Sequence, residues 1–199
     1  MTEPGGAPQS EESPSASALM AAPPRALRGK PDFRDLYRDH CGYVWNTLRR
    51  LGVREADIED VAHEVFLSVY KRLADYDSAR PIKPWLFGFA YRTASDYRAR
   101  PQHRREVAED DMDHADDKPG ADEQIEAEQR RALVAKALLK IELDRRAVFV
   151  MHEIDGAKIP EVAEALAIPL NTAYSRLRLA REEFAEAVRR ITAQKGGAR

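Results

Sequence analysis

The chain predicts an all-α protein built as two small helical domains. An N-terminal helical bundle and a C-terminal helix-turn-helix bundle are joined by a flexible acidic linker, and a disordered tail precedes them. Three observations carry that expectation. Apolar residues recur at helical spacing wherever a core could form, and no stretch alternates as a strand would. Residues 106–128 hold eleven acids against the single base Lys118, with Pro119-Gly120 among them. Like charges this dense resist compaction, which divides the chain into two folded units. Residues 1–30 are rich in Pro, Gly, Ser and Ala without any period, the composition of a disordered tail.

With 199 residues there is room for one or two domains plus tails. Hydrophobic residues make up 43% and charged residues 33%. No apolar run approaches the roughly 20 residues that span a bilayer, and no basic segment followed by an apolar core marks a secretory leader. Cys41 is the only cysteine, so neither an internal disulfide nor a cysteine-based zinc site can form. These features predict a cytoplasmic protein without membrane insertion. The net charge of −2 says little, because charge is distributed in blocks.

Order is expected from Pro31. Phe33, Leu36, Tyr37, His40, Cys41, Val44 and Leu48 trace the inner stripe of a first helix, which makes His40 and Cys41 core neighbours rather than ligands. After Leu51-Gly52 a second helix starts near Glu55. Ile58, Val61, Ala62, Val65, Phe66, Val69 and Leu73 are its apolar stripe. Its far side carries Asp60, His63, Glu64, Leu67 and Lys71. Most such faces are simply solvated, but a leucine among acids also suits a partner surface.

Tyr76 to Lys83 reads as a loop, and Pro84 as the opening of a third helix. Leu86, Phe89, Ala90, Thr93, Ala94 and Tyr97 face inward on it. Gly88, Arg92, Ser95 and Asp96 face outward, with Phe87, Tyr91 and Arg98 on the flanks. The segment continues into Arg100, His103, Arg104 and Arg105. Aromatics interleaved with arginines suit unpaired bases and phosphates. Trp85, Phe89 and Tyr97 are assigned to the core.

The acidic linker turns helical only near its end. Asp113-His114-Ala115-Asp116 has the residue types of a metal site, but a charged run collects them without fixed geometry; no metal or other cofactor is expected. The second unit begins with Leu133, Val134, Ala137, Leu138 and Ile141 on one helix face. Asp144 can cap the next helix, where Ala147, Val148, Val150, Met151 and Ile154 pack inward.

Residues 155–181 organise the second unit. Pro160 suits a first helical turn, and Val162, Ala163 and Leu166 give that helix an apolar face. Pro169 stops it, and Asn171 or Thr172 can cap the helix that follows. On that last helix Ala173, Leu177, Ala180 and Phe184 share one side at about 100° per residue. The front carries Asn171, Ser175, Arg178, Leu179 and Glu182, flanked by Tyr174, Arg176 and Arg181. An apolar back with such a front suits a helix in a DNA major groove, where arginine binds guanine bidentately. A solvated charged helix is the plain alternative. Ala167 stands where the turn of a helix-turn-helix has glycine, and a left-handed alanine there costs roughly 1 kcal/mol.

Together these segments resemble the extracytoplasmic-function (group IV) sigma factors, the compact promoter-specificity subunits of bacterial RNA polymerase. The resemblance covers about residues 31–105 and 130–190, in the family's order. Asp57-Ile-Glu-Asp-Val-Ala-His-Glu-Val-Phe66 is similar to the motif that docks on the clamp helices of the polymerase's largest subunit. Pro84 to Arg98 resembles the helix that melts and reads the minus-ten element. Gly156 to Arg181 resembles the minus-thirty-five recognition motif, with Thr172, Ser175-Arg176-Leu177 and Ala180-Arg181 in place.

The resemblance implies polymerase binding by Asp57, Asp60, His63, Glu64, Phe66 and Leu67. It implies minus-ten contacts from Ser78, Arg80, Lys83, Trp85, Arg92, Ser95, Asp96, Arg98 and Arg100. Minus-thirty-five contacts fall to Asn171, Thr172, Tyr174, Ser175, Arg176, Arg178 and Arg181. Implied partners are core RNA polymerase through its clamp helices and flap, promoter DNA, and an anti-sigma factor. No catalytic residue is implied, since the chemistry belongs to polymerase. Domain limits of 31–105 and 130–192 follow, with 106–129 as linker and 193–199 as a frayed end.

The departures from the family pattern are specific. His63 stands in place of a usual glutamine and adds scope for pH sensitivity. Arg92 replaces an asparagine, and Asp96 also often corresponds to one. Tyr174 stands where a basic residue is common, and Arg178-Leu179 replaces an aromatic or histidine followed by arginine. An altered minus-thirty-five preference is expected. The rival expectation is a two-domain transcriptional regulator that binds duplex DNA without polymerase; it leaves the 57–66 face and the aromatic third helix unused.

Overall fold

A computed structural model of the chain describes residues 31–100 and 122–196; every regular element there is a helix. The first, α1, spans Phe33–Leu51. Asp32 caps it, its carboxylate accepting the Arg34 N–H at 2.7 Å. It ends at Gly52, whose φ of 89° is a left-handed conformation that a side chain would strain. A 3₁₀ turn, Glu55–Asp57, leads into α2, Ile58–Arg72, and a loop leads on to α3, Ile82–Ala99. Helix α3 therefore starts two residues before Pro84. Proline in a first turn forfeits no hydrogen bond, so the helix extends past it toward its N-terminus.

In the C-terminal part, α4 spans Asp122–Leu139, and α5, Leu143–Phe149, runs on through a π-helical turn at Val150–Ile154. Helix α6, Ile159–Ala165, and α7, Leu170–Gly196, complete the fold. Helix α4 begins inside the acidic run, earlier than residue 130. Strong helix formers such as Ala127, Gln129, Arg130 and Arg131 interrupt the acids there. Glu142, rather than Asp144, caps α5 by accepting the Asp144 N–H at 3.2 Å. Asn171 and Thr172 lie within the first turn of α7, because the helix already starts at Leu170. Ala167 has the expected left-handed backbone, φ 54°. Residues 101–121, with the Asp113–Asp116 cluster, lie outside the described residues, as do the terminal segments.

The stripes of α2 and α7 are buried as their spacing predicts. Ile58, Val61, Ala62, Val65, Phe66 and Val69 line one core, and Ala173, Leu177 and Ala180 another part of it. The two halves, however, are not apart: their apolar residues form one continuous cluster. Phe87 and Gly88 of α3, expected at the flank and outside, are buried because α6 packs on them. A Cβ on Gly88 would stand 2.5 Å from the carbonyl oxygen of Ala165, so only glycine permits this approach.

Arg146 is the centre of the junction. Only 1% of it is exposed. Its guanidinium donates to the carbonyl oxygens of Leu51 at 3.0 Å, Leu139 at 2.9 Å and Ile141 at 2.7 Å. A side chain at Gly52 would collide with it, since a Cβ there falls 2.6 Å from the Arg146 guanidinium. Burial, and then the like charge of Arg98, push its pKa down to about 9. Further links cross the same junction. The Tyr43 hydroxyl donates to Asp155 at 2.8 Å, Arg50 donates to the other oxygen of Asp155 at 3.1 Å, and Arg80 pairs with Glu164.

Candidate nucleic-acid interface

Three surfaces are expected to carry function, and the fold exposes the centre of each. On α2 the apolar stripe turns inward, so Asp60, His63, Glu64 and Leu67 face solvent, Leu67 with 49% of its surface exposed. Phe66 does not join them. It is 3% exposed and packs its ring against Tyr37, with centroids 4.6 Å apart, so it supports the face from beneath. Asp57 is half-buried and engaged by neighbours within the bundle. It accepts the Tyr97 hydroxyl at 2.5 Å and the Arg54 Nε–H at 2.7 Å, tying the start of α2 to the end of α3. Arg100 donates to both carboxylate oxygens of Glu64 at 3.1 Å, which sets it beside the α2 face.

Next to Leu67 lies an aromatic patch that periodicity does not indicate. Tyr70 is 63% and Tyr37 45% exposed, and Phe33 sits edge-on to Tyr70 at 5.1 Å. Spacing puts Tyr37 in the inner stripe of α1, and the fold leaves it at the margin. A stripe of seven residues is wider than the buried face of one helix in a three-helix bundle, so its edge stays wet.

The second surface joins α3 to the loop before it. That loop is pinned rather than loose: Asp77 accepts the Ala79 N–H at 2.9 Å, and the Tyr76 hydroxyl donates to the Arg80 carbonyl at 2.6 Å. Ser78 and Arg80 are exposed, and Lys83 lies 5.5 Å from the centre of the Tyr43 ring. Trp85 is half-buried between Tyr76 and Phe89, each 4.9 Å away by ring centroid. Core assignment thus holds for Tyr97, while Trp85 and Phe89 keep an open edge. Arg92 lies over the Phe89 ring at 4.9 Å, Asp96 is exposed and Ser95 half-buried. Arg98 does not face outward with them. It is half-buried beside Gly52 at the junction, and burial lowers its pKa.

The third surface is the front of α7. Asn171, Tyr174, Ser175, Arg178, Glu182 and Arg181 are exposed, while Thr172, Arg176 and Leu179 are half-buried. Arg178 pairs with Glu182 at 2.7 Å and Arg181 with Glu153 at 2.6 Å. Such exposed pairs are worth little and exchange readily for phosphate or base contacts. The Ser175 hydroxyl donates to the Thr172 carbonyl at 3.0 Å.

Arg176 is held differently. It donates to one oxygen of Asp144 at 2.5 Å, and the Tyr91 hydroxyl of α3 donates to the other at 2.5 Å. Burial, followed by that hydrogen bond, raises the Tyr91 pKa to about 12. One carboxylate therefore joins the α3 surface to the α7 surface, through partners 53 and 32 positions away that no local pattern signals. Among the described residues no cluster of His, Cys, Asp and Glu could hold a metal ion, and no helix is long and apolar enough to cross a membrane.

Both halves match known proteins. Residues 36–105 match the family described as Sigma-70 region 2, and residues 125–184 match Sigma-70, region 4. The ECF RNA polymerase sigma factor SigL of Mycobacterium tuberculosis is 31% identical over 148 residues, covering 74% of this chain and 83% of SigL. The RNA polymerase sigma factor NccH of Alcaligenes xylosoxydans xylosoxydans is 28% identical over 176 residues, covering 86% of this chain and 94% of NccH. Among solved structures, CnrH in complex with the cytosolic domain of CnrY superposes with a TM-score of 0.53 at 26% identity. That match covers 77% of this chain and 85% of CnrH.

Proposed function

The chain belongs to the extracytoplasmic-function family of RNA polymerase sigma factors, and from that premise we propose how it selects and opens a promoter. Residues 31–105 act as the module that binds core polymerase and the minus-ten element. Residues 130–192 act as the module that binds the minus-thirty-five element, and the acidic segment between them tethers the two through the polymerase cleft.

The observation that carries this reading is the division of labour around each helix. Helix α7 buries Ala173, Leu177 and Ala180 and turns Asn171, Tyr174, Ser175, Arg178 and Arg181 to solvent. In a major groove those arginines reach guanine edges and phosphates. Helix α2 offers Leu67 amid Asp60, His63 and Glu64, an apolar contact whose register is fixed by charge. Helix α3 and its pinned loop offer Lys83, Trp85, Arg92 and Asp96 to a separated strand.

Opening duplex costs about 1.4 kcal/mol per stacked step. A protein that makes and breaks no bond meets that cost only by holding bases once they are unpaired. The polymerase supplies the catalysis. With the halves docked, Arg176 is occupied by Asp144, so freeing it for the minus-thirty-five element calls for the junction to open. An anti-sigma factor that covers both nucleic-acid surfaces would keep it closed; the CnrH relative was solved with a protein partner, the cytosolic domain of CnrY.

Reconstitution with core polymerase tests the proposal. The protein should co-elute with polymerase and direct transcripts to discrete start sites on genomic templates. Duplex DNA binding without any association with polymerase would instead identify a regulator of the rival kind.

A further inference from the structure

Where the two halves meet, they enclose a cleft of about 390 Å³. That volume lies within the range of small-molecule sites. The N-terminal half contributes Tyr43 of α1 and Ile82, Lys83 and Pro84 from the first turn of α3; the C-terminal half contributes Met151, Asp155 and Glu161. Because both halves build it, the cleft exists only while they are docked. Of these residues Lys83 alone is expected to meet DNA.

Much of the lining is apolar: the Tyr43 ring, Ile82, Pro84, Met151 and Ala157. Of its three charged groups, one is already satisfied. Asp155 accepts from the Tyr43 hydroxyl at 2.8 Å and from Arg50 at 3.1 Å, one partner on each oxygen. Lys83 has the Tyr43 ring, its ammonium 5.5 Å from the centre, and among the described residues no carboxylate pairs with it. Glu161 spends one oxygen on the Lys158 N–H at 3.1 Å, and among the described residues no base pairs with it. The cleft therefore leaves one cation on the N-terminal half and one anion on the C-terminal half, beside apolar walls. Their complement is a small zwitterion with an apolar body. Its carboxylate accepts from Lys83, its ammonium donates to Glu161, and its body takes water off Ile82 and Met151. A plain acid would leave Glu161 unmatched, and a plain amine would leave Lys83.

We propose that this cleft binds a free apolar α-amino acid, with Lys83 holding its carboxylate, Glu161 its ammonium, and Ile82, Pro84 and Met151 receiving its side chain. A ligand gripped by both halves binds the docked form and not the separated one, so it favours docking by mass action. It also withdraws Lys83 from the separated DNA strand. The amino acid thereby restrains initiation, a consequence that rests on the reading that the halves part at the promoter.

Calorimetric titration of the full chain with L-leucine, L-methionine and L-phenylalanine tests the site. At least one should bind saturably. Its analogues lacking one charge, which for leucine are 4-methylpentanoate and 3-methylbutylamine, should each bind about tenfold more weakly, the worth of one hydrogen bond to a charged group. Glu161→Gln keeps an acceptor for the Lys158 N–H and should abolish the preference over the analogue without an ammonium. Lys83→Met should abolish the preference over the analogue without a carboxylate, and Arg190→Ala, at the far end of α7, should change neither. With core polymerase and template, saturating amino acid should raise the chain concentration needed for half-maximal initiation several-fold, and the shift should vanish in Glu161→Gln. Absence of saturable binding by all three amino acids overturns the site and leaves the sigma function standing. Full preference retained in both variants also overturns it, since the ligand then sits elsewhere. Equal affinity for amino acid and analogues overturns the recognition of both charges, and binding without a shift in initiation overturns the restraint. A wild-type chain that fails to initiate without any amino acid overturns the proposed function, while the titration still decides the site.

Discussion

The guanidinium of Arg146 donates to the carbonyl oxygen of Leu51 at 3.0 Å, so a side chain of the C-terminal half closes the end of the first helix of the N-terminal half. Two more carbonyls, of Leu139 and Ile141, share the same group. Replacing Arg146 with methionine keeps most of the stem and leaves those buried acceptors without their donor. The expected loss is about 3–5 kcal/mol of unfolding free energy. Urea denaturation of the full chain measures it, and an unchanged midpoint would mean that the junction contributes nothing to stability.

Gly88 lets α3 and α6 approach until a Cβ would sit 2.5 Å from the Ala165 carbonyl oxygen. A backbone atom cannot rotate away, so Gly88→Ala should push the halves apart at a cost of about 1–3 kcal/mol. Small-angle scattering should give a larger radius of gyration for the variant. Identical scattering curves would show that the packing absorbs the methyl group.

Asp155 sits under the junction, and burial raises its pKa; the Tyr43 hydroxyl, Arg50 and Lys83 pull it the other way. A carboxyl whose pKa is higher folded than unfolded keeps a proton that the unfolded chain releases. Its contribution to stability is therefore complete in acid and is lost as the pH rises through the folded value. From about pH 4 upward, Asp155→Asn should flatten the decline seen in the wild type, because asparagine accepts from Tyr43 without titrating. Urea midpoints at a series of pH values compare the two, and parallel curves would remove Asp155 as the source.

Leu67, half-exposed among acids, should be an anchor for polymerase. Leu67→Ala is expected to weaken core binding by about 1–2 kcal/mol, or roughly 5- to 30-fold. Competition against the wild-type chain for core polymerase gives the number, and full competitiveness would shift the docking site elsewhere on the surface.

Among the described residues Arg178 holds an exposed pair with Glu182, which a DNA contact can displace. Arg178→Ala should cost about 1–3 kcal/mol on the preferred minus-thirty-five sequence and relax discrimination at one base position. Binding measured across a panel of single-base variants distinguishes this from a uniform loss, which would make Arg178 a phosphate contact.

Much of the fold can be read from local spacing. Ile58 to Val69 and Ala173 to Ala180 are buried because side chains three and four residues apart share a helix face, whatever lies opposite. The same logic exposes Asp60, His63, Glu64 and Leu67, and the left-handed Ala167 follows from its place in a turn. Spacing fails at edges. Tyr37 and Trp85 lie where an inward stripe meets solvent, and a period cannot say how wide the neighbouring helices are. Phe66 is buried beneath the α2 face that carries Leu67, and Asp57 is half-buried and held by Tyr97 and Arg54, because a motif marks a stretch of chain without separating the residues that reach solvent from those that support them.

The amino-acid order alone determined that the chain is helical, that an acidic run separates two segments, and which family they resemble. Tertiary structure alone decided that the segments meet. The partners that make the junction, Arg146 with Leu51, Tyr91 with Asp144 and Tyr43 with Asp155, are 95, 53 and 112 positions apart. Helical periodicity reaches four residues along the chain, whereas the desolvation of an arginine and the fit of a glycine against a carbonyl exist only where distant helices close on one another.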